Sequence, residues 1–293
     1  MADSPALDRV LRRAGGPGVL DVLAKALPGA DLTTLLLAVF RSRAARLAPA
    51  DVLRRYLEDR FAAPAAVPFA ALRRAEDALL AALPPAFEPV ALSPVAPLGT
   101  HSAVATVDQN KILTTVRGTE VAADPTNGLA LEAARRRAAS APDVRLAAVQ
   151  RVVRGQRFAA GAAHFGLFGL VTAGRDTGDL AFERRHSAEH LQAVTSGVRR
   201  ATDRRPEVRL TVLQERFAPV AAAVREALAG VHVTDDPDRS SGRGYYTGLC
   251  FKVFVAGVEV GDGGFTDWTQ RLLGNRKERL IISGVGVDRL ATI

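Results

Sequence analysis

The sequence predicts an α+β fold in which a largely antiparallel sheet is flanked by helices. Two observations lead to this prediction. Beyond residue 68, the spacing of apolar residues changes repeatedly between the 3.6-residue period of helices and the two-residue period of strands. Several predicted strands also follow one another without an intervening helix, which favours an antiparallel sheet over a doubly wound parallel sheet.

The N-terminal part of the chain predicts a small helical annex. Apolar residues recur at helical spacing through three segments, at residues 19–27, 32–47 and 52–61. The segment AAPAAVP at residues 62–68 predicts a stiff connector, because proline fixes its own backbone angle and lacks an N–H donor. We therefore predict an annex over residues 1–62 and a larger domain over residues 69–293.

Helices and strands alternate unevenly along the larger domain. Helices are predicted at residues 69–83, 129–139, 188–201, 217–229 and 268–273. Strands are predicted at residues 87–92, 112–117, 144–153, 164–172, 208–213, 249–255, 258–260 and 280–287. His186 and His190 lie four residues apart at a predicted helix, where we expect a solvated face rather than a metal site.

Composition narrows the classes of protein to consider. A chain with 48% hydrophobic and 24% charged residues is of ordinary globular composition, and no segment resembles a transmembrane span. One cysteine and no apolar signal sequence favour a reducing, cytoplasmic location. The net charge of +8 permits an anionic partner without requiring one. The phosphate-binding G-x-x-x-x-G-K-[ST] loop, the G-x-G-x-x-G turn and the H-E-x-x-H zinc motif are absent from the sequence.

Two C-terminal segments carry the strongest signal. GGFTDWTQRLLGN at residues 263–275 resembles the GGRYDGL segment of histidyl-tRNA synthetase and of its relative, the regulatory subunit of ATP phosphoribosyltransferase. ISGVGVDRL at residues 282–290 resembles motif 3 of class II aminoacyl-tRNA synthetases, the class to which this family belongs. The resemblance implies a class II synthetase-like core over residues 69–293. It also implies an amino-acid site at Gly263 and Gly264, a nucleotide site at Asp288, and an Arg289 that holds the γ-phosphate of ATP.

A tyrosine-rich segment resembles the amino-acid pocket of the same family. SGRGYYTGLCFKVF at residues 241–254 is similar to the family's RGLDYYTGTVFE, so Tyr245 and Tyr246 are implied to line that pocket. The family arginine that contacts the activated carboxylate falls at Ser241 without a gap, or at Arg243 with a two-residue deletion. A strand pair packed on a core accounts for the two tyrosines equally well.

The segment VVRGQRFAAGAAHFGLF at residues 152–168 resembles motif 2 of the class. In that motif an arginine lies near the α-phosphate, where charge develops during attack by a carboxylate, and an aromatic ring stacks on adenine. The resemblance therefore implies a catalytic role for Arg154 and nucleotide contacts from residues on both strands. The implied residues are Gln156, His164 and Phe168, of which Phe168 is the stacking ring. Arg157 is part of the same sequence pattern.

The segment AADPTNGLALEAARRR at residues 122–137 resembles the family's LRPEGTxGxxR. The resemblance implies that Asp124 and Thr126 receive the substrate ammonium, which a carboxylate and a hydroxyl suit well. Asp124 or Thr126 could instead cap the helix predicted at residues 129–139, behind Pro125. The sequence leaves these alternatives open.

Two functions follow from the resemblance. The first is a stand-alone core that binds ATP, Mg²⁺ and a small amino acid, and that forms an acyl-adenylate as an amino-acid-activating ligase. Its acceptor is unknown, with tRNA or a protein as possibilities, and the chain is expected to dimerise through residues 69–92. Because the chain ends three residues after Leu290, we expect it to lack the anticodon-binding domain that a synthetase of this type carries after motif 3. The second is a catalytically silent paralogue that senses a metabolite or regulates a partner enzyme, favoured by Gln156 where the family has glutamate.

Overall fold

A computed structural model of the protein describes residues 4–156, 162–242 and 244–293. The chain divides into two compact units. One comprises residues 1–59 with 114–119, and the other comprises residues 60–113 with 120–293. The candidate residues that the structure describes all lie in the larger unit.

The smaller unit contains short helices. They are α1 (Pro5–Ala14), α2 (Gly18–Asp21), α3 (Gly29–Ala44) and α4 (Pro49–Glu58). Proline occupies the first turn of α1 and α4, where its missing N–H costs no hydrogen bond. No residue of these four helices is buried.

A mixed, mostly antiparallel sheet organises the larger unit. The helices are α5 (Phe69–Leu80), α6 (Pro125–Ala138), α7 (Ala181–Thr202), α8 (Ala218–Ala227), α9 (Trp268–Leu273) and α10 (Val287–Leu290). The strands of the sheet are β1 (Glu88–Pro89), β4 (Val144–Val153), β5 (His164–Arg175), β6 (Pro206–Val212), β7 (His232–Asp235), β8 (Thr247–Val255), β9 (Val258–Thr266) and β10 (Glu278–Gly286). Their order is β1-β4-β5-β10-β9-β8-β6-β7, and a separate small sheet pairs β2 (Val95–Pro97) with β3 (Thr119–Val121).

The predicted α+β class is therefore confirmed, with local differences. The strand predicted at residues 87–92 is only two residues long in β1. Pro89 cannot donate to a sheet ladder, and β1 lies at the edge of the sheet, where such a residue is tolerated. The strand predicted at residues 112–117 does not form, since Thr115 instead closes a turn by donating its N–H to the Thr119 carbonyl.

The two faces of the large sheet differ. Side chains at alternate positions pack beneath α5, α7 and α8, where Phe168, Phe251 and Ile281 are almost completely buried. We call this the core face. Side chains at the intervening positions, such as Val171 and Ile282, pack towards α6, and we call this the cavity face.

The expectation of a solvated histidine face is wrong. His186 and His190 are 2% and 0% exposed, because this side of α7 packs against the core face of the sheet. The imidazole of His190 bridges two strands through hydrogen bonds to Ser283 Oγ at 2.7 Å and Thr172 Oγ1 at 2.9 Å. Burial lowers the pKa of His190 to about 3, so this ring is neutral near neutral pH.

Candidate ligand-binding site

A cavity of about 220 Å³ lies in the larger unit, on the cavity face of the sheet. The start of α6, the end of β4, the tyrosine pair before β8 and the middle of β9 and β10 contribute to its wall. Six residues singled out from the sequence line it: Asp124, Thr126, Arg154, Gln156, Tyr245 and Tyr246. The structure thus brings together residues that lie more than 100 positions apart in the chain.

Asp124 caps a helix and faces the cavity at the same time. Its Oδ1 accepts hydrogen bonds from the Thr126 N–H at 2.9 Å and from the Thr126 hydroxyl at 2.7 Å, as an N-cap residue does. Its Oδ2 accepts a hydrogen bond from Arg154 Nη2 at 3.2 Å. The two roles left open by the sequence are therefore compatible, because each carboxylate oxygen serves a different group.

A buried His101–Glu120 pair holds the segment that precedes Asp124. The Ala123 N–H donates to His101 Nε2 at 2.9 Å, so Nδ1 carries the ring proton and donates to Glu120 Oε1 at 2.6 Å. Burial raises the pKa of Glu120, but hydrogen bonds from His101, Gln109 and Gly99 outweigh it and hold the pKa below its ordinary value. This carboxylate is therefore charged and fixes the backbone beside Asp124.

Arg154 follows β4 and is held against the cavity wall. Its Nε donates to the Ala123 carbonyl at 3.0 Å, in addition to the contact with Asp124. The guanidinium lies 5.1 Å from the ring centroid of Phe165, within the range of a cation–π interaction. The side chain is 30% exposed, so the guanidinium is oriented without being fully desolvated.

An aromatic wall closes another side of the cavity. The rings of Tyr245 and Tyr246 are 4.4 Å apart between centroids, and Tyr245 lies 6.1 Å from Trp268. Burial raises the pKa of both tyrosines, which stay protonated and can donate hydrogen bonds. The indole N–H of Trp268 is buried and has no acceptor among the described residues.

The structure adds a second carboxylate that the sequence analysis missed. Asp262 on β9 lines the cavity and accepts a hydrogen bond from Arg239 Nη2 at 3.0 Å. Burial raises the pKa of Asp262, and the negative charge of Asp124 raises it further, although Arg239 opposes both effects. The two carboxylates are thus near enough to repel each other across one cavity.

Arg239 lies in the same segment as Ser241 and Arg243, the two positions that the sequence offered for the family arginine. Its side chain is completely buried and also donates to the carbonyls of Ser241 at 2.7 Å and Phe251 at 2.8 Å. The guanidinium lies 5.2 Å from the Tyr246 ring centroid. Arg243 and Arg157 lie outside the described residues.

Three residues expected at the nucleotide end, Phe168, His164 and Asp288, are placed away from the cavity. Phe168 is 1% exposed in the core face, so neither side of its ring is free to stack on adenine. It lies three residues from Phe165, and an odd spacing along a strand sends the two rings to opposite faces. His164 also points to the face opposite Phe165, where Nδ1 accepts from Arg151 Nε at 2.8 Å. Asp288 accepts from Arg151 Nη2 at 3.0 Å and from the Gly166 N–H at 2.6 Å.

Arg289 does not line the cavity either. It is exposed on α10 and donates from Nη1 to the Glu259 carbonyl at 2.8 Å. The structure therefore does not bring it to the cavity beside Arg154.

Gly263 and Gly264 serve strand packing beside the site. A Cβ at Gly264 would come within 2.7 Å of Cys250 Cβ, and a Cβ at Gly263 would collide with the Phe251 ring. Neither glycine lines the cavity. Glycine at both positions allows β8 and β9 to approach closely enough to place Asp262 opposite the tyrosines.

The cavity offers a nucleotide less than the resemblance implies. The cavity is smaller than the roughly 300–1,000 Å³ usual for ligand pockets, and the expected stacking ring is buried elsewhere. No group of three or more His, Cys, Asp or Glu residues among the described residues could hold a metal ion. Arg154 and Arg239 already pair with the two carboxylates that face the cavity.

The fold is that of a class II synthetase-like core. The structure is similar to an ATP phosphoribosyltransferase regulatory subunit/histidyl-tRNA synthetase from Bacillus halodurans, with a TM-score of 0.65 and 14% identity over 79% of this chain and 82% of that chain. It is also similar to a histidine–tRNA ligase subunit from Alicyclobacillus acidocaldarius, with a TM-score of 0.60 and 16% identity over 76% of this chain and 92% of that chain. A third similar structure is the histidyl-tRNA synthetase of Nostoc sp. PCC 7120, with a TM-score of 0.62 and 13% identity over 80% of this chain and 74% of that chain.

These likenesses establish the fold. No protein-family model matches the chain, and no curated protein is similar to it in sequence. Within the described part of the chain, none of the helices has the length and apolar character needed to cross a membrane.

Proposed function

We propose that the larger unit binds a free α-amino acid in the cavity and acts as a synthetase-like sensor without forming an adenylate. One observation carries this proposal: two carboxylates, Asp124 and Asp262, repel each other across a 220 Å³ cavity that also exposes a guanidinium. An ammonium placed near both carboxylates relieves their repulsion. The cavity volume suits a ligand of amino-acid size better than a nucleotide.

The two charged groups of an amino acid are matched by groups of opposite charge in the cavity. The ammonium is matched by Asp124 Oδ2 and Asp262, and the carboxylate by the guanidinium of Arg154 on the same wall. Arg154 exchanges its contact with Asp124 for the ligand carboxylate, which keeps each charge paired. The side chain of the ligand contacts the aromatic wall of Tyr245, Tyr246 and Trp268.

A second candidate, acyl-adenylate formation, is favoured by one observation. Phe165 and Arg154 lie together on the cavity face, and Gln156 lines the cavity beside them. This arrangement offers an aromatic ring and a cation to a nucleotide in place of Phe168. Homodimerisation, a tRNA or protein acceptor, and a cytoplasmic location remain predictions.

Calorimetric titration of the full chain with the twenty standard amino acids tests the proposal. Two analogues of the amino acid that binds most tightly are then titrated: the amine that lacks its carboxylate and the acid that lacks its amine. Each analogue should bind at least tenfold more weakly than the amino acid itself. No amino acid should support exchange of pyrophosphate into ATP. Measurable exchange would establish the second candidate, whereas the absence of binding by all twenty would overturn both.

A further inference from the structure

Asn127 lines the cavity and has no part in the contacts described above. It follows Thr126 in the first turn of α6 and is 2% exposed. Its backbone N–H donates to the Asp124 carbonyl at 3.4 Å, but its side-chain amide forms no hydrogen bond with the described residues. A buried amide without partners is costly, so a ligand that satisfies it gains affinity.

A ligand in the cavity can reach the Asn127 amide. The indole N–H of Trp268 is enclosed by protein atoms, whereas the amide of Asn127 is not among the enclosed groups, and Asn127 lines the cavity. An amide has an oxygen that accepts hydrogen bonds and an NH₂ group that donates them. A carboxamide carries the complementary donor and acceptor side by side on one carbon. A carboxylate offers acceptors only, and a hydroxyl offers a single atom.

The charges around the cavity favour an uncharged ligand side chain. The ammonium and carboxylate of a bound amino acid cancel each other, while Arg154 and Arg239 balance Asp124 and Asp262. Lys111 also lines the cavity, but it is exposed, so water and salt screen its ammonium. A charged group on the ligand side chain would therefore be buried without a partner, which is costly.

We infer that the ligand is an amino acid with a carboxamide side chain, glutamine or asparagine, and that Asn127 determines this specificity by pairing with the carboxamide. The inference rests on the proposed function, because it identifies the class of amino acid that occupies the same cavity. A side chain without hydrogen-bonding groups leaves the Asn127 amide unpaired, and a site of this kind discriminates strongly against such an analogue.

Calorimetric titration of the full chain with glutamine, asparagine, glutamate, leucine and histidine tests this inference. Glutamine or asparagine should bind wild-type protein at least tenfold more tightly than each of the other three. Asn127→Leu removes the amide at similar size, so it should weaken the carboxamide ligand at least tenfold while leucine binds no more weakly than before. Asn127→Ala, a second variant without the amide, should lose the same preference. Thermal melting without ligand shows that both variants are folded.

Asn110→Leu is the matched control, since Asn110 is exposed and does not line the cavity. It should leave all five titrations unchanged. Tightest binding by glutamate, leucine or histidine would overturn the inference and leave the proposed function standing. Wild-type affinity for the carboxamide ligand in both folded Asn127 variants would do the same. The absence of binding by all twenty standard amino acids would instead overturn the proposed function itself.

Discussion

Residues of the same type have different surroundings on the two faces of the central sheet. On the core face, Phe168 is enclosed by apolar side chains beneath three helices. On the cavity face, Phe165 stays partly exposed and meets the guanidinium of Arg154. The difference teaches that strand parity, more than residue type, decides which aromatic ring is available to a ligand.

The largest expected effect separates these two phenylalanines. Phe168→Ala should lower the free energy of unfolding by about 3–5 kcal/mol, because it leaves a hole in a close-packed core. Phe165→Ala should cost about 1 kcal/mol, because its ring is only partly buried. Urea denaturation of both variants measures the difference. Equal losses would contradict the assignment of the rings to opposite faces.

The sequence predicted much of the fold and part of the site. The motif resemblance singled out Asp124, Arg154 and the tyrosine pair, and these residues line one cavity in the structure. Phe168, the ring that the motif 2 resemblance implied, lies on the core face. The two-residue alternation along β5 already indicates that Phe165 and Phe168 point to opposite faces. Asp262 could also have been singled out from the sequence, because it is a charged residue in a strand that is otherwise mostly apolar or glycine.

The His101–Glu120 pair could not have been predicted. Its two members are 19 residues apart, and their contact depends on the path of the intervening loop. A lone histidine and a lone glutamate carry no spacing pattern by which either could be recognised. Tertiary structure alone brings them together behind Ala123.

A second prediction concerns the buried arginine beneath the cavity. Arg239→Met should lower the free energy of unfolding by about 3 kcal/mol, since it leaves Asp262 without its counter-ion and the carbonyls of Ser241 and Phe251 without their donor. The loss stays at the lower end for buried ion pairs because the Asp262 side chain is 36% exposed. Thermal and urea unfolding measure it. Asp267→Asn, which breaks an exposed pair with Arg271, is the control and should cost less than 1 kcal/mol.

The free energy of unfolding should fall in acid because of His190 on the core-face side of the sheet. Its pKa is about 3 in the folded protein and near 6.5 when unfolded, so below pH 6.5 the unfolded chain gains a proton that the folded protein does not. Stability is therefore lost as the pH falls from 6.5, by about 1.4 kcal/mol per pH unit for this group. Urea denaturation between pH 6.5 and 4.5 measures the slope.

His190→Gln cannot take up that proton. Its slope over the same pH range should be shallower than that of wild type by about 1.4 kcal/mol per pH unit. Glu189, whose pKa is about 2, adds a loss in the same direction only as the pH falls below its ordinary value of 4.5. An unchanged slope in His190→Gln would show that this histidine is protonated in the folded state.

The smallest expected change in stability accompanies the most direct test of the amino-acid site. Asp124→Asn keeps an oxygen that can cap α6, so the free energy of unfolding without ligand should change by less than about 1 kcal/mol. The negative charge that faces the cavity is lost. Asp108→Asn is the matched control, since Asp108 also caps a helical turn but does not line the cavity.

Calorimetric titration with the best amino-acid ligand tests whether Asp124 binds the ligand ammonium. The proteins to compare are wild type, Asp124→Asn and Asp108→Asn. We predict that Asp124→Asn weakens binding about 10- to 100-fold, as expected when a charge-assisted contact of about 1.5–3 kcal/mol is removed, while Asp108→Asn binds like wild type. A dissociation constant for Asp124→Asn equal to that of wild type would contradict the placement of the ligand ammonium between the two carboxylates.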